Sequence, residues 1–358
     1  MTNYLLAGGG TAGHVNPLLA LADEIISSSK ENKVWALGTS EGLESRLVPE
    51  RGYELLIVPR LPMPRKPNLY ALTFPVKFQQ SVNLVKQYIS ANNIDVVVGF
   101  GGYASAPAYR AAKELKVPYV IHEANAMPGY ANRVGAKSAA AVGITFKNTK
   151  LPKATFVGMP LRKEIIEISK SDYRFEGAKY FGLDPSLKTL VVTGGSLGAR
   201  RINETIEASR KVLDAAGIQV LHIVGDRAGL EPIHEGAYSR IAYCDRMDLA
   251  LAAADFVVAR AGAATVCELA AIGLPSVLVP YPVGNGEQRF NAESLVEAGG
   301  ALLVEDSKFD AAYVAGTLIP LLSDSKRVMA MAEKAKSQGV TDGSKALLNL
   351  VNGVLKGK

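Results

Sequence analysis

Cysteine, tryptophan and histidine are scarce in this 358-residue chain, with two, one and four copies respectively. Two cysteines, Cys244 and Cys267, cannot form a disulfide scaffold and suit a reducing compartment. No apolar run reaches the ~18 residues of a spanning helix. The first ten residues carry no basic segment ahead of their short apolar run, Tyr4–Ala7, so no signal peptide is expected. Asp-x-Asp, His-Glu-x-x-His and Gly-Lys-Ser/Thr are all absent. Those absences speak against a built-in metal site and a Walker phosphate loop. Charge of one sign is not dominant: 40 basic against 34 acidic residues leave a net +6. That balance suits nucleic acid, acidic lipid or a phosphorylated substrate without choosing among them. No basic cluster is interleaved with aromatics, so nucleic acid is not an expected partner.

What is present is an alternating pattern. Short apolar runs (Tyr4–Ala7, Lys33–Leu37, Glu54–Val58, Val96–Phe100, Tyr119–His122) precede helical stretches at 17–28, 69–92 and 107–115. The second half repeats the plan. Its strands are expected at 189–193, 219–224, 256–259, 276–279 and 301–304, and its helices at 199–216, 263–272, 288–298 and 325–338. This is the signature of parallel sheets covered on both faces. The expected fold is α/β, two doubly wound Rossmann-like domains over 1–159 and 160–341. Glycine and proline at 157–160 mark the joint. Ligands of such sheets bind beyond the carboxyl ends of the strands, so the cleft between two of them is the expected site.

Each half opens with a strand, a Gly-rich turn and a helix. Gly8-Gly9-Gly10-Thr11-Ala12-Gly13-His14 comes first, with Asn16 read as the helix cap and Pro17 as its first residue. Gly8, Gly10 and Gly13 fit G-x-G-x-x-G, but no acidic residue closes the second strand and Glu41 lies past it, which disfavours NAD. A tight packing turn is the plain alternative to a ligand loop; Thr11 and His14 beside the glycines favour the ligand. Gly194-Gly195-Ser196-Leu197-Gly198-Ala199-Arg200 combines a hydroxyl with a helix start, a phosphate-binding pattern. In Arg260–Glu268, Glu268 follows a third such turn. It could accept from two ribose hydroxyls or be an ordinary helix-surface glutamate. Glu287, Gln288 and Asn291 put carboxylate and amide groups at a fourth helix start.

Together with Gly101-Gly102-Tyr103 and His122-Glu123-Ala124-Asn125, these motifs stand in an order that resembles the MurG family over nearly the whole chain. The family comprises bacterial transferases of peptidoglycan synthesis. They move N-acetylglucosamine from UDP-GlcNAc to undecaprenyl-pyrophosphoryl-MurNAc-pentapeptide. The resemblance implies a GT-B fold with the nucleotide held mainly by the second domain, and a last helix (342–358) packed back on the first. It implies that Ser196 and Arg162 contact the diphosphate, Glu268 the ribose, and backbone at Cys244 the uracil. Ala263, Ala264 and Thr265 would line the nucleotide. Asn125, Glu287 and Gln288 would meet the sugar, faced by Gly10, Thr11 and Ala12. Ala12, Ala124, Ala261 and Glu287 depart from the family's commoner glycine, glutamine, serine and glutamine, and Glu287 leaves the details of sugar recognition open.

The implied reaction inverts the anomeric centre and needs one base and a stabilised leaving UDP. No cofactor is required; a Mg²⁺ held loosely on the pyrophosphates is compatible with the reading. His14, read as lying just before a helix start, is the expected base. Its alternative is a hydrogen bond to the substrate pyrophosphate. His122 and Glu123 are runners-up, His122 being better read as a buried structural histidine. The lipid acceptor implies a peripheral enzyme on the cytoplasmic face of the membrane. Arg65, Lys66, Leu69, Leu72, Phe74 and Phe78 form a basic and apolar stretch suited to an anionic surface, or to an ordinary amphipathic helix. Rival functions are another GT-B transferase with a different lipid acceptor such as diacylglycerol, a UDP-GlcNAc 2-epimerase, and a non-catalytic sugar-nucleotide-binding protein.

Overall fold

Strand β1 (Asn3–Ala7) shows how the first sheet is built. Leu5 and Ala7 join one buried cluster with Leu37, Val97, Ile121 and Val142, while Tyr4 and Leu6 join another with Ala36, Val96, Val98 and Val120. Strands apolar on both faces need cover on both, which a parallel sheet with crossover helices provides. The computed structural model describes residues 1–64, 66–195, 198–283 and 286–357. The chain divides into two units, Met1–Arg162 with Thr341–Lys358, and Lys163–Val340.

In the first unit β2 (Lys33–Gly38), β3 (Glu54–Ile57), β4 (Val96–Gly99), β5 (Tyr119–Glu123), β6 (Ala141–Ile144) and β7 (Ala154–Phe156) join β1. Their order is β3-β2-β1-β4-β5-β6-β7, and every pairing is parallel. The second unit holds β8 (Lys188–Thr193), β9 (Ile218–Ile223), β10 (Ile233–Glu235), β11 (Tyr238–Ile241), β12 (Phe256–Ala259), β13 (Ser276–Leu278) and β14 (Ala301–Leu303). Their order is β10-β11-β9-β8-β12-β13-β14, with only β10 antiparallel to its neighbour. Winding reverses between β1 and β4 and between β8 and β12. At such a switch point the loops leaving two adjacent strands diverge and open a crevice. The turns after β1 and β8 are the two glycine-rich ones.

The structure corrects the sequence reading in several places. β6, β7, β10 and β11 were not expected. β7 is three exposed residues, and β6 is only four residues long and contains Gly143. A Cβ on Gly143 would stand 2.9 Å from Val157 Cγ2 and 3.1 Å from Leu347 Cδ1, so glycine there admits the last helix, Gly343–Lys356. That helix buries Leu347, Leu348 and Val351 in the cluster of Tyr4 and Leu6. The helix expected over 199–216 is two, Arg200–Ala208 and Arg210–Ala215. Between them Ser209, fully buried, turns its hydroxyl back to the Thr205 carbonyl at 2.8 Å. The first helix spans Ala12–Ser28 with Thr11 as its cap, so Asn16 and Pro17 lie inside it.

His222 on β9 is fully buried between the Tyr238 hydroxyl (2.7 Å from Nδ1) and Asn203 Oδ1 (3.1 Å from Nε2). Burial pushes its pKa down to about 4 from an ordinary 6.5, against the Glu207 carboxylate and with the help of Arg240. The fold therefore favours the neutral imidazole. Its contribution is fully present above pH 6.5 and is lost as pH falls through the folded value near 4. The whole loss is roughly 3 kcal/mol. Urea unfolding at pH 7, 6, 5 and 4.5 should show that decline, and His222→Gln should make it shallower, with buried His122 carrying a similar share. An equally steep decline in the variant would assign the acid sensitivity elsewhere.

Candidate active site

The first unit gathers its chemistry where β1, β4 and β5 end. His14 sits in the first turn of helix Ala12–Ser28, rather than ahead of it, because Thr11 is already the extended cap residue. Its Nδ1 lies 3.1 Å from the Gly9 carbonyl and 3.5 Å from Thr11 Oγ1. A carbonyl can only accept, so Nδ1 carries a proton; in the neutral imidazole Nε2 then has the lone pair. Nε2 faces Gly101 in the loop after β4: a Cβ built there would be 3.1 Å from it and 3.5 Å from Asn132 Nδ2. Gly102 has φ +81°, and a Cβ on it would stand 2.5 Å from the Gly9 oxygen. Glycine is thus required beside the carbonyl that orients the imidazole.

Beneath this lies a buried polar network. Glu123, at the end of β5, accepts from Asn125 N (2.9 Å), Gly129 N (3.1 Å) and Asn132 Nδ2 (2.9 Å). Burial raises its pKa; those three bonds and the nearby His14 oppose the rise. Asn132 also donates to the His122 carbonyl (3.2 Å) and accepts from the Tyr109 hydroxyl (2.7 Å). His122 is fully buried, with Nε2 3.1 Å from the Gly158 carbonyl, and burial lowers its pKa to about 4. It behaves as the structural histidine. Glu123 likewise holds the turn Asn125–Gly129 by its backbone. Neither Asn132 nor Tyr109 was singled out from the sequence; only the fold brings them to this corner. Gly10 is exposed with φ +91°, Ala12 begins the first helix, and the Asn125 carbonyl accepts from Thr149 Oγ1 at 3.2 Å. Arg162 is half-buried at the end of the unit's main segment.

In the second unit the turns after β8, β11, β12 and β13 stand at one edge of the parallel sheet. Gly195 N donates to Thr193 Oγ1 (3.1 Å) and Gly198 N to the Gly195 carbonyl (2.9 Å), shaping the turn into helix Arg200–Ala208. Ser196 lies outside the described residues. Cys244 follows β11 and is half-buried. Gly262 caps helix Ala263–Ile272, whose first turn holds Ala263, Ala264 and Thr265. Glu268 is only 8% exposed, which removes the reading of an ordinary helix-surface glutamate. Burial, then the Glu268 charge, pushes the neighbouring Cys267 thiol up.

Arg260 organises the segment after β13. Its Nη1 donates to the carbonyls of Val279 and Pro280, both at 3.1 Å, and pairs with Asp306 at 2.6 Å. Tyr281 N then donates to Gln288 Oε1 at 2.9 Å. Glu287 and Gln288 are the first two residues of helix Glu287–Glu297. Gln288 Oε1 is thus engaged by the backbone of the segment after β13. Asn291, fully buried on the same helix, donates to the Ala261 carbonyl at 3.4 Å and ties it to the turn after β12.

Helix Leu69–Ala91 carries the expected membrane stretch, and it sorts the residues. Leu69, Leu72 and Val76 are 77%, 78% and 63% exposed, with Met63 and Lys66 also exposed nearby in sequence. Phe74 instead stacks on Phe78 with centroids 5.9 Å apart, and Phe78 packs against the core. Phe78 is therefore a packing residue rather than a contact. Arg65 lies outside the described residues. Among the described residues no helix is long and apolar enough to cross a membrane.

Residues 4–144 match the glycosyltransferase family 28 N-terminal domain and residues 189–347 its C-terminal domain. A protein of Leifsonia xyli subsp. xyli is 57% identical over 351 residues, 98% of either chain. One of Clavibacter sepedonicus is 52% identical over 352 residues, 98% of this chain and 96% of its own. Both are named UDP-N-acetylglucosamine--N-acetylmuramyl-(pentapeptide) pyrophosphoryl-undecaprenol N-acetylglucosamine transferase. Among solved structures, Acinetobacter baumannii MurG superposes with a TM-score of 0.78 at 24% identity, over 99% of this chain and 100% of its own. That likeness shows the fold.

Proposed function

The chain belongs to glycosyltransferase family 28, and on that premise we propose that it moves N-acetylglucosamine from UDP-GlcNAc to the 4-hydroxyl of MurNAc in undecaprenyl-pyrophosphoryl-MurNAc-pentapeptide. The end-to-end likeness to the Leifsonia xyli transferase carries this reading. It makes the protein a hexosyltransferase of peptidoglycan synthesis.

His14 Nε2 takes the proton of the acceptor 4-hydroxyl as that oxygen attacks C1 of GlcNAc. The bond from C1 to the β-phosphate oxygen breaks on the opposite face, its electrons leave with UDP, and the α-donor gives a β-1,4 product. Support for this role is the Gly9 carbonyl on Nδ1, which leaves Nε2 free to accept. Arg162, Ser196 and the helix starts at Arg200 and Ala263 neutralise the charge that builds on the diphosphate. Glu268 accepts from the ribose hydroxyls, backbone at Cys244 meets the uracil, and Ala263, Ala264 and Thr265 line the nucleotide. The sugar contacts are assigned to Glu287 and Gln288 of the second unit and to Asn125, Gly10, Thr11 and Ala12 of the first. No resident cofactor is part of the proposal, and a Mg²⁺ travelling on the pyrophosphates is compatible with it.

UDP release tests the function. It should require both UDP-GlcNAc and the lipid-linked MurNAc-pentapeptide, and fail with UDP-GalNAc. Release without the acceptor, or epimerised free sugar nucleotide, would support a different reaction. Tight donor binding with no turnover on this acceptor would favour another acceptor or a binding protein.

We also place the enzyme peripherally on the cytoplasmic face of the membrane, held by Lys66, Leu69, Leu72 and Val76. Three large, exposed apolar side chains on one helix beside basic residues suit an anionic bilayer. Leu69→Glu/Leu72→Glu should sharply reduce sedimentation with phosphatidylglycerol vesicles and spare UDP binding. Unchanged sedimentation would move the contact elsewhere.

A further inference from the structure

Glu44 is 1% exposed, yet it belongs to no motif and its carboxylate accepts on both oxygens. Oε1 takes Thr39 N and Thr39 Oγ1, both at 2.8 Å, and Oε2 takes Gly10 N at 2.8 Å. The chain makes room for it: a Cβ on Gly9, Gly38 or Gly42 would stand 2.2, 2.5 or 2.0 Å from its side chain. A buried carboxylate needs such compensation. Three glycines packed around a fully bonded one describe a built position.

The acceptor end of that arrangement matters. The Gly10 N–H bound by Glu44 and the Gly9 C=O bound by His14 Nδ1 belong to one planar peptide group. A carboxylate on the N–H side draws the amide's electrons toward the carbonyl oxygen, and bonds in such a chain strengthen one another. We propose that Glu44 is a positioning residue that acts on His14 through the Gly9–Gly10 peptide bond, holding the proton on Nδ1 and the lone pair on Nε2. The arrangement is a carboxylate–imidazole pair with one amide inserted between its members. This inference rests on the reading of His14 as the base. The other titratable groups that act on His14 are Glu123 and His122 at the end of β5; the neutral Asn132 amide approaches from their side.

The test uses full-length protein with ¹⁵N-labelled histidine and the Glu44→Gln variant, which keeps the shape but loses the charge and one acceptor. The His14 ring nitrogens report the tautomer without any substrate. In the variant the Nδ1–H tautomer should lose population, read from the ring ¹⁵N shifts. kcat should fall roughly 10- to 100-fold, less than the ~10⁴ seen when a directly bonded carboxylate is lost from a catalytic histidine. KM for UDP-GlcNAc should stay within about threefold. Should Glu44→Gln not fold, Glu44→Asp keeps the charge and withdraws it from Gly10 by one methylene, and the Nδ1–H tautomer should again lose population. A merely structural Glu44 would lower the melting temperature and leave the ¹⁵N signals in place, which overturns the proposal. If the signals move while His14→Ala turns over normally, the coupling stands and the base assignment fails. If His14→Ala is inactive and the signals do not move, the reverse holds.

Discussion

His14→Ala is expected to lower kcat about 10³-fold, the usual worth of a positioned general base, with KM for UDP-GlcNAc nearly unchanged. The reason is which state the imidazole serves. In the proposed role its nitrogen acts only as the acceptor hydroxyl attacks, so its loss should raise the barrier without loosening the resting donor complex. The side chain is half-buried in the first turn of its helix, and its removal leaves no core cavity, so the melting temperature should hold. Single-turnover rates at saturating donor and acceptor would measure the step directly. His14→Gln separates the two roles open to this residue. Glutamine can hydrogen-bond a pyrophosphate but cannot take up a proton. Turnover restored by glutamine would make His14 a substrate contact and return the search to Glu123. His122 offers a contrast: buried and neutral, it should cost stability when replaced by alanine through the lost bond to Gly158.

Strand positions were legible where four or more apolar residues ran together, as in Val96–Gly99 and Phe256–Ala259, because a strand covered on both faces has no polar interruption. The edge strand Ala154–Phe156, three exposed residues, carries neither an apolar run nor a period to read. The cap of the first helix was misplaced because Asn16-Pro17 is a good local start signal, yet the bonds from His14 N and Val15 N to the Thr11 carbonyl begin the helix earlier. Glycine clusters marked the loops, since close approach of backbone demands glycine wherever it occurs. The groups that hold those loops could not be read. Glu44, Asn132 and Tyr109 look like ordinary helix residues, and their partners are 34, 9 and 23 positions away or fixed only by the sheet order. An acidic residue was sought after the second strand as a ribose ligand. One is there, three residues past Glu41, and it turns inward onto the Gly10 amide instead.

Glu268→Gln should show the opposite kinetic pattern from His14→Ala: KM for UDP-GlcNAc raised about 100-fold and kcat within a few-fold. Hydrogen bonds from hydroxyls to a buried carboxylate are each worth about 1.5–3 kcal/mol, and two neighbouring ones lost in part come to about 3 kcal/mol. That corresponds to roughly two decades in affinity. The ribose lies on the leaving group, away from the bond that breaks, so the contact is the same in ground and transition states and its loss appears in KM alone. Under the proposed role, the burial of Glu268 among small residues of Ala263–Ile272 gives the carboxylate this value; at a solvated helix surface, water would compete for it. Competition by UDP against 2′-deoxy-UDP tests the partner as well as the residue. The wild type should favour UDP strongly, and the variant should bind the two alike. A variant that still discriminates would place the ribose hydroxyls on another group, and unchanged KM would leave Glu268 as a structural residue of its helix.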